Sequence, residues 1–133
     1  MTEGEGGGKI LVVEDEEYLR DLYREVLEKG GLVVETAADG EEAYNKMKNG
    51  GYKLVLLDLL LPKMSGVEIL RRLAAETPGG IKEPVVVLTN MGQDEAIAEC
   101  TALGARGYFT KVEMDPGQLL TEVKKIVGGD QGR

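Results

Sequence analysis

Acidic, hydroxyl and basic side chains follow apolar runs at four points in the chain. Glu14 and Asp15 follow KILVV, and Asp58 follows KLVLL. Thr89 follows PVVVL, and Lys111 follows RGYFT. Three carboxylates close together repel one another unless a cation neutralises them, and oxygen-only sites favour a hard ion such as Mg²⁺. A hydroxyl and an ammonium beside such an ion can position and neutralise a phosphoryl group during its transfer.

Asp58 is the acid that most needs a functional explanation. The other seven residues from Leu54 to Leu61 are all Leu or Val. A lone carboxylate in such a run is costly to bury and is normally paired or bound to metal. Taken singly, an acidic pair could begin a helix, a threonine could cap one, and a lysine could be a solvated surface charge. The joint placement of these residues behind different apolar runs is what favours a site.

Strand and helix patterns alternate five times along the chain. Short apolar runs predict strands at 9–13, 32–36, 53–57, 84–88 and 106–110. Helical spacing predicts helices at about 16–29, 40–48 and 93–103. It predicts two more, one that begins after a Ser65 cap and a last one that begins at Asp115 or Pro116. Five strand–helix units predict an α/β fold with one parallel sheet between two helical layers. Ligands bind such sheets at the carboxyl ends of the strands, where the polar residues above stand.

The composition excludes several classes of function. The 133 residues fit one domain, and their formal net charge of −8 disfavours nucleic acid as a direct partner. There is no histidine, which excludes Ser-His and Cys-His catalytic pairs, and Cys100 is the only cysteine. No apolar run is long enough to span a membrane, and the acidic, glycine-rich start is unlike a signal peptide. We therefore expect a cytoplasmic protein with no membrane partner.

Four motifs together resemble the receiver domain of two-component response regulators, of the single-domain kind found in chemotaxis regulators: ILVVEDEEYLRDL, LVLLDLLLPKMSGVEIL, PVVVLTN and LGARGYFTK. The resemblance covers residues 9–127, between predicted flexible tails at 1–8 and 128–133. It implies a flavodoxin-like (βα)5 three-layer sandwich with strand order 2-1-3-4-5. It also implies a phosphorylation-controlled signalling switch of a two-component system rather than a dedicated enzyme.

The resemblance assigns the acids to phosphoryl transfer. It implies that Asp58 accepts a phosphoryl group from a phosphohistidine of a sensor histidine kinase or phosphotransfer protein. It implies that Glu14, Asp15 and Asp58, with the backbone carbonyl of Leu60, hold Mg²⁺.

The resemblance also assigns a switch. It implies that Thr89 and Lys111 bind the phosphoryl group, and that Thr89 and Tyr108 then move together to change the helix 4–strand 5–helix 5 face and recruit a partner. The chain departs from the family pattern at Asn90, where a small residue is usual, and at Val112, where proline is usual. At Val112 we expect either a trans peptide bond with a rearranged loop or local strain.

Other functions stay open at this point. A phosphohydrolase with an aspartyl nucleophile would again use Asp58, but such enzymes usually carry an acid two residues later, where this chain has Leu60. A nonphosphorylated receiver-like adaptor is a second alternative. The downstream protein is unknown, and the chain could stand alone or lack an output domain. We expect a monomer, or a weak dimer on phosphorylation.

Overall fold

The protein is described from a computed structural model that covers residues 8–90 and 92–129. The strands are β1 (Lys9–Val13), β2 (Val33–Ala37), β3 (Tyr52–Asp58), β4 (Val85–Thr89) and β5 (Gly107–Thr110). The helices are α1 (Glu17–Lys29), α2 (Gly40–Asn49), α3 (Gly66–Glu76), α4 (Asp94–Ala102) and α5 (Pro116–Gly129), and a 3₁₀ turn spans Lys111–Glu113. Helix α5 therefore runs two residues into the predicted C-terminal tail, and most of both predicted tails lies outside the described residues.

The five strands form one parallel sheet in the order β2-β1-β3-β4-β5, which confirms the predicted fold. Alternate residues of the central strands point to opposite faces, as the strand period of two requires. One face packs on α2, α3 and α4, and the other on α1 and α5. Cys100 lies in the core of the first face, where burial raises the pKa of its thiol to about 11. It behaves as a small apolar residue.

The strand register brings the polar residues to one edge of the sheet. At that edge, Val13 pairs with Leu57, Asp58 with Leu88, and Thr89 with Thr110. Glu14 thus follows β1 beside the end of β3, and Lys111 follows β5 beside the end of β4. We call this edge, where the strands end, the carboxyl edge.

The first turn of α3 is fixed against the loop that follows Asp58. Ser65 caps this helix as predicted, since its hydroxyl accepts a hydrogen bond from the Glu68 amide at 3.1 Å. The Gly66 amide donates to the Leu59 carbonyl at 2.9 Å. A Cβ atom at Gly66 would lie only 2.7 Å from the Asp58 carbonyl oxygen, so a glycine lets the helix approach the strand end this closely. Within the described ranges, no helix has the length and apolar character needed to cross a membrane.

Candidate functional site

Three carboxylates meet at the carboxyl edge. Glu14, Asp15 and Asp58 each offer an oxygen atom within 4.8 Å of the other two. Glu14 is only 1% exposed and Asp58 only 4%, whereas Asp15 is exposed to solvent. We call these residues the acidic cluster. Their positions agree with the prediction from sequence that these three carboxylates lie close together.

Lys111 supplies the cluster with a positive charge. Its Nζ atom lies 2.7 Å from Glu14 Oε1 and donates a hydrogen bond to Asp58 Oδ2 at 3.0 Å. Burial alone would lower the pKa of this ammonium, but its contacts with Glu14 and Asp58 outweigh burial and raise the pKa. Lys111 is therefore charged at neutral pH. It neutralises part, but not all, of the charge on three carboxylates.

The peptide bond before Val112 is trans, as in the first of the two alternatives predicted for this position. The peptide bonds of the described residues are all trans, and a 3₁₀ turn begins at Lys111. The Val112 side chain is 71% exposed. Valine at this position therefore leaves Lys111 free to contact Asp58.

The buried carboxylate of Glu14 has the charge and the free oxygen lone pairs that a metal ligand needs. Burial raises the pKa of its carboxyl group, and Lys111 opposes that shift. Its Oε2 atom accepts a hydrogen bond from the Glu16 amide at 3.1 Å. Its buried Oε1 atom, although beside Lys111, has no partner of hydrogen-bonding geometry among the described residues. A buried carboxylate oxygen without a hydrogen bond, two further carboxylates and an oxygen-only donor set fit a hard divalent cation.

Asp58 is held by the backbone as well as by Lys111. Its Oδ1 atom accepts a hydrogen bond from the Leu60 amide at 3.2 Å, which turns the chain sharply behind β3. The Leu60 side chain is 60% exposed, so it does not cover the carboxylate with a well-buried apolar group. The backbone of Leu60 thus lies beside the acidic cluster, where the predicted carbonyl ligand would be needed.

Arg20 is a site residue that the sequence reasoning missed. One of its terminal nitrogens (Nη1) donates to the carbonyl oxygens of Glu14 at 3.0 Å and Asp15 at 3.2 Å. It thereby ties the loop that carries two members of the acidic cluster to the first turns of α1. An arginine one helical turn after the start of the helix that follows the acidic pair is the signal that could have revealed it.

We expect Arg20→Met to weaken divalent-cation binding about fivefold. The variant loses hydrogen bonds worth about 1 kcal/mol net, which hold the loop in the conformation that presents Glu14 and Asp15 to the cation. The measurement is a Mg²⁺ titration by calorimetry. Arg24→Met is the matched control, because Arg24 lies on the same helix and pairs with the exposed Asp21. Equal Mg²⁺ affinity in Arg20→Met and wild type would show that Arg20 is not needed to hold this loop for cation binding.

Thr89 ends β4 at the carboxyl edge, and Tyr108 lies in the edge strand β5. Thr89 is 1% exposed at the end of β4, and its hydroxyl lies 2.5 Å from Gln93 Oε1 and 2.9 Å from the Asn90 carbonyl oxygen. Tyr108 is 53% exposed and lines a surface groove with Thr89 and Ile97. Asn90 is itself exposed. The roles predicted for Thr89 and Tyr108 in a switch stay predictions.

Sequence comparison relates the whole site to a known family. The model of the response regulator receiver domain matches residues 10–124. The alkaline phosphatase synthesis transcriptional regulatory protein PhoP of Bacillus subtilis (strain 168) is 36% identical over 119 residues, which are 90% of this chain and 48% of that protein. The transcriptional regulatory protein SrrA of Staphylococcus aureus (strain NCTC 8325 / PS 47) is 30% identical over 90% of this chain and 47% of its own length. The chain spans about half the length of these curated relatives.

Solved structures agree with this relationship. A CheY-like response regulator receiver domain protein from Methanospirillum hungatei JF-1 has a TM-score of 0.80 and 29% identity, covering 93% of this chain and 96% of that one. The chemotaxis protein CheY4 of Vibrio cholerae has a TM-score of 0.77 and 29% identity, covering 90% and 98% of the two chains.

Proposed function

This chain belongs to the response regulator receiver domain family, and from this premise we propose that it is a phosphoryl-accepting signalling switch of a two-component system with Asp58 as its phosphoacceptor. One observation supports this choice above all. Asp58 is a buried carboxylate at a strand end, joined to a charged lysine and within 4.8 Å of two further acids. A group so placed has a nucleophilic oxygen and nearby charges that can hold the incoming group.

The proposed donor is a phosphohistidine of a partner histidine kinase or phosphotransfer protein. An Asp58 oxygen forms a new P–O bond while the P–N bond to the histidine breaks, and the bonding electron pair returns to the imidazole nitrogen. Lys111, now 3.0 Å from Asp58 Oδ2, would transfer its hydrogen bond to an oxygen of the phosphoryl group. The Lys111 ammonium thus offsets charge both before and after the transfer.

We propose that the acidic cluster holds Mg²⁺ through Glu14, Asp15 and Asp58, with the Leu60 backbone carbonyl as a further ligand. The cation would supply charge neutralisation that lets an anionic phosphoryl group approach a carboxylate. The buried Glu14 Oε1 atom, whose contact with Lys111 lacks hydrogen-bonding geometry, supports this assignment. Arg20 donates hydrogen bonds to the backbone carbonyl groups of Glu14 and Asp15. These bonds fix the loop that carries the two carboxylate side chains.

The proposed output is a change of the α4–β5–α5 face. Thr89 would move its hydroxyl to the phosphoryl group, and the exposed Tyr108 would turn inward beside it. The altered face would bind a downstream protein or an output domain. We further propose that the domain works in the cytoplasm and is monomeric, or weakly dimeric once phosphorylated.

The test of the phosphoacceptor is the intact mass of the protein after treatment with acetyl phosphate and Mg²⁺. Wild type is expected to gain the mass of one phosphoryl group, and Asp58→Asn is expected to gain none. Asp21→Asn, which alters an exposed acid of α1, should behave as wild type. A phosphoryl group that still attaches to Asp58→Asn, or fails to attach to wild type, would contradict the proposal.

A further inference from the structure

Gln93 connects the end of β4 to the start of α4 through its side chain. Its Oε1 atom accepts one hydrogen bond from the Thr89 hydroxyl at 2.5 Å and another from the Asn90 amide at 2.9 Å. Its own backbone carbonyl accepts from the Ile97 amide at 3.0 Å in the first turn of α4. One amide oxygen therefore holds the last residue of β4 and the residue that follows it against the N-cap residue of α4.

The bond to Gln93 competes with the predicted role of Thr89. A hydroxyl has one proton, so it cannot donate to Gln93 and to a phosphoryl oxygen at the same time. Thr89 is 1% exposed, and the Asn90 carbonyl oxygen, 2.9 Å from its hydroxyl, is an alternative acceptor for this buried donor. A charged phosphoryl oxygen is a stronger acceptor than a neutral amide oxygen. Exchange of one acceptor for the other is therefore the step that decides where Thr89 points.

We propose that Gln93 is a positioning residue that holds Thr89 and the β4–α4 loop in their unphosphorylated arrangement. This inference rests on the proposed role of Thr89 as a phosphoryl ligand. Phosphorylation then has to break the Thr89 hydrogen bond to Gln93 Oε1, which loosens the link between the end of β4 and the N-cap residue of α4. The side chain of Gln93 thereby shifts the equilibrium of the unphosphorylated protein towards the resting conformation. It also links the phosphoryl site to the α4–β5–α5 face.

Removing the acceptor should make the phosphoryl-bound form easier to reach. Gln93→Met keeps the length of the side chain but has no oxygen, and it should bind beryllofluoride, a phosphoryl analogue, about fivefold more tightly in the presence of Mg²⁺. Gln93→Glu keeps oxygen acceptors and should show no such gain. Gln118→Met is the matched control, because Gln118 makes a similar bond, to the Asp115 amide at 2.9 Å, at the start of α5.

Affinity is measured by NMR titration, and hydrogen exchange of the Asn90 amide is measured in the unliganded protein. The Asn90 amide should exchange faster in Gln93→Met than in wild type or Gln118→Met, because it has lost its acceptor. Unchanged exchange, or a beryllofluoride affinity within twofold of wild type, would overturn this inference alone. Failure of wild type itself to bind beryllofluoride would overturn the proposed function, and this inference with it.

Discussion

Replacing Lys111 by methionine is expected to lower the free energy of unfolding by about 3 kcal/mol at neutral pH. The variant keeps the length of the side chain but leaves Glu14 and Asp58, which are 1% and 4% exposed, without their cation. Two buried carboxylates would then repel each other and the neighbouring Asp15. The measurement is urea unfolding followed by circular dichroism, with Mg²⁺ removed by chelation.

The pH dependence identifies the cause. Burial already raises the pKa of Glu14, and loss of the ammonium would raise it further. A carboxyl group whose pKa is higher in the folded than in the unfolded state favours folding only while it is protonated. The deficit of Lys111→Met should therefore shrink as the pH falls from 7 towards 4.5, the ordinary value for glutamate.

A lysine on the surface gives the control for this experiment. The Lys125 side chain is 68% exposed, and its Nζ atom lies 3.5 Å from Glu122 Oε2. Lys125→Met should therefore change the free energy of unfolding by less than about 0.5 kcal/mol. If Lys111→Met were as stable as Lys125→Met at neutral pH, the carboxylates would have another source of neutralisation.

The positions of the charged residues could be predicted because they depend on features that are local in sequence. Each strand is a short apolar run, and in a parallel sheet the residue after each run must stand at the same edge. This pattern predicts that Glu14, Asp58, Thr89 and Lys111 stand at one edge of the sheet, and the structure agrees on their placement. The order of the strands came only from the resemblance.

Element bounds were predicted less well where hydrogen bonds, rather than side-chain type, decide them. Leu32 looks like the start of β2, but its amide donates to the Leu27 carbonyl at 3.1 Å and so belongs to the turn that ends α1. Asp58 looks like the residue after β3, but it pairs with Leu88 and is the last residue of the strand. Apolar pattern alone cannot separate these cases.

Arg20 and Gln93 were missed because their roles depend on the shape of loops. The partners of Arg20 are backbone carbonyl groups of the β1–α1 loop, and those of Gln93 are the Thr89 hydroxyl at the end of β4 and the Asn90 amide that follows it. No periodicity specifies the conformation of the chain at these points. The outward position of Tyr108 is likewise a matter of rotamer choice, since a half-buried strand aromatic can point either way. The sequence therefore predicts which polar groups meet at the carboxyl edge, but not the residues that hold them in place.

Glu14→Gln is expected to stabilise the metal-free protein by about 1 kcal/mol while removing most of the stabilisation that Mg²⁺ gives. Burial raises the pKa of Glu14, so the folded state favours a neutral group at this position, and glutamine supplies one at every pH. The Glu16 amide keeps an oxygen acceptor in the variant, and Lys111 keeps Asp58. Under the proposed function, the charge of Glu14 is held at the expense of stability.

Mg²⁺ should reverse the order of the two proteins. At a concentration one hundred times its Kd for wild type, a ligand adds about 2.7 kcal/mol to the free energy of unfolding. If loss of one carboxylate weakens Mg²⁺ binding about a hundredfold, the same concentration adds only about 0.4 kcal/mol to the variant. Thermal and urea unfolding with and without Mg²⁺ measure both effects, and Glu122→Gln, which alters a partly exposed glutamate of α5, should show neither. A variant less stable than wild type without metal would show that burial does not dominate at Glu14, and one stabilised equally by Mg²⁺ would remove Glu14 from the ligand set.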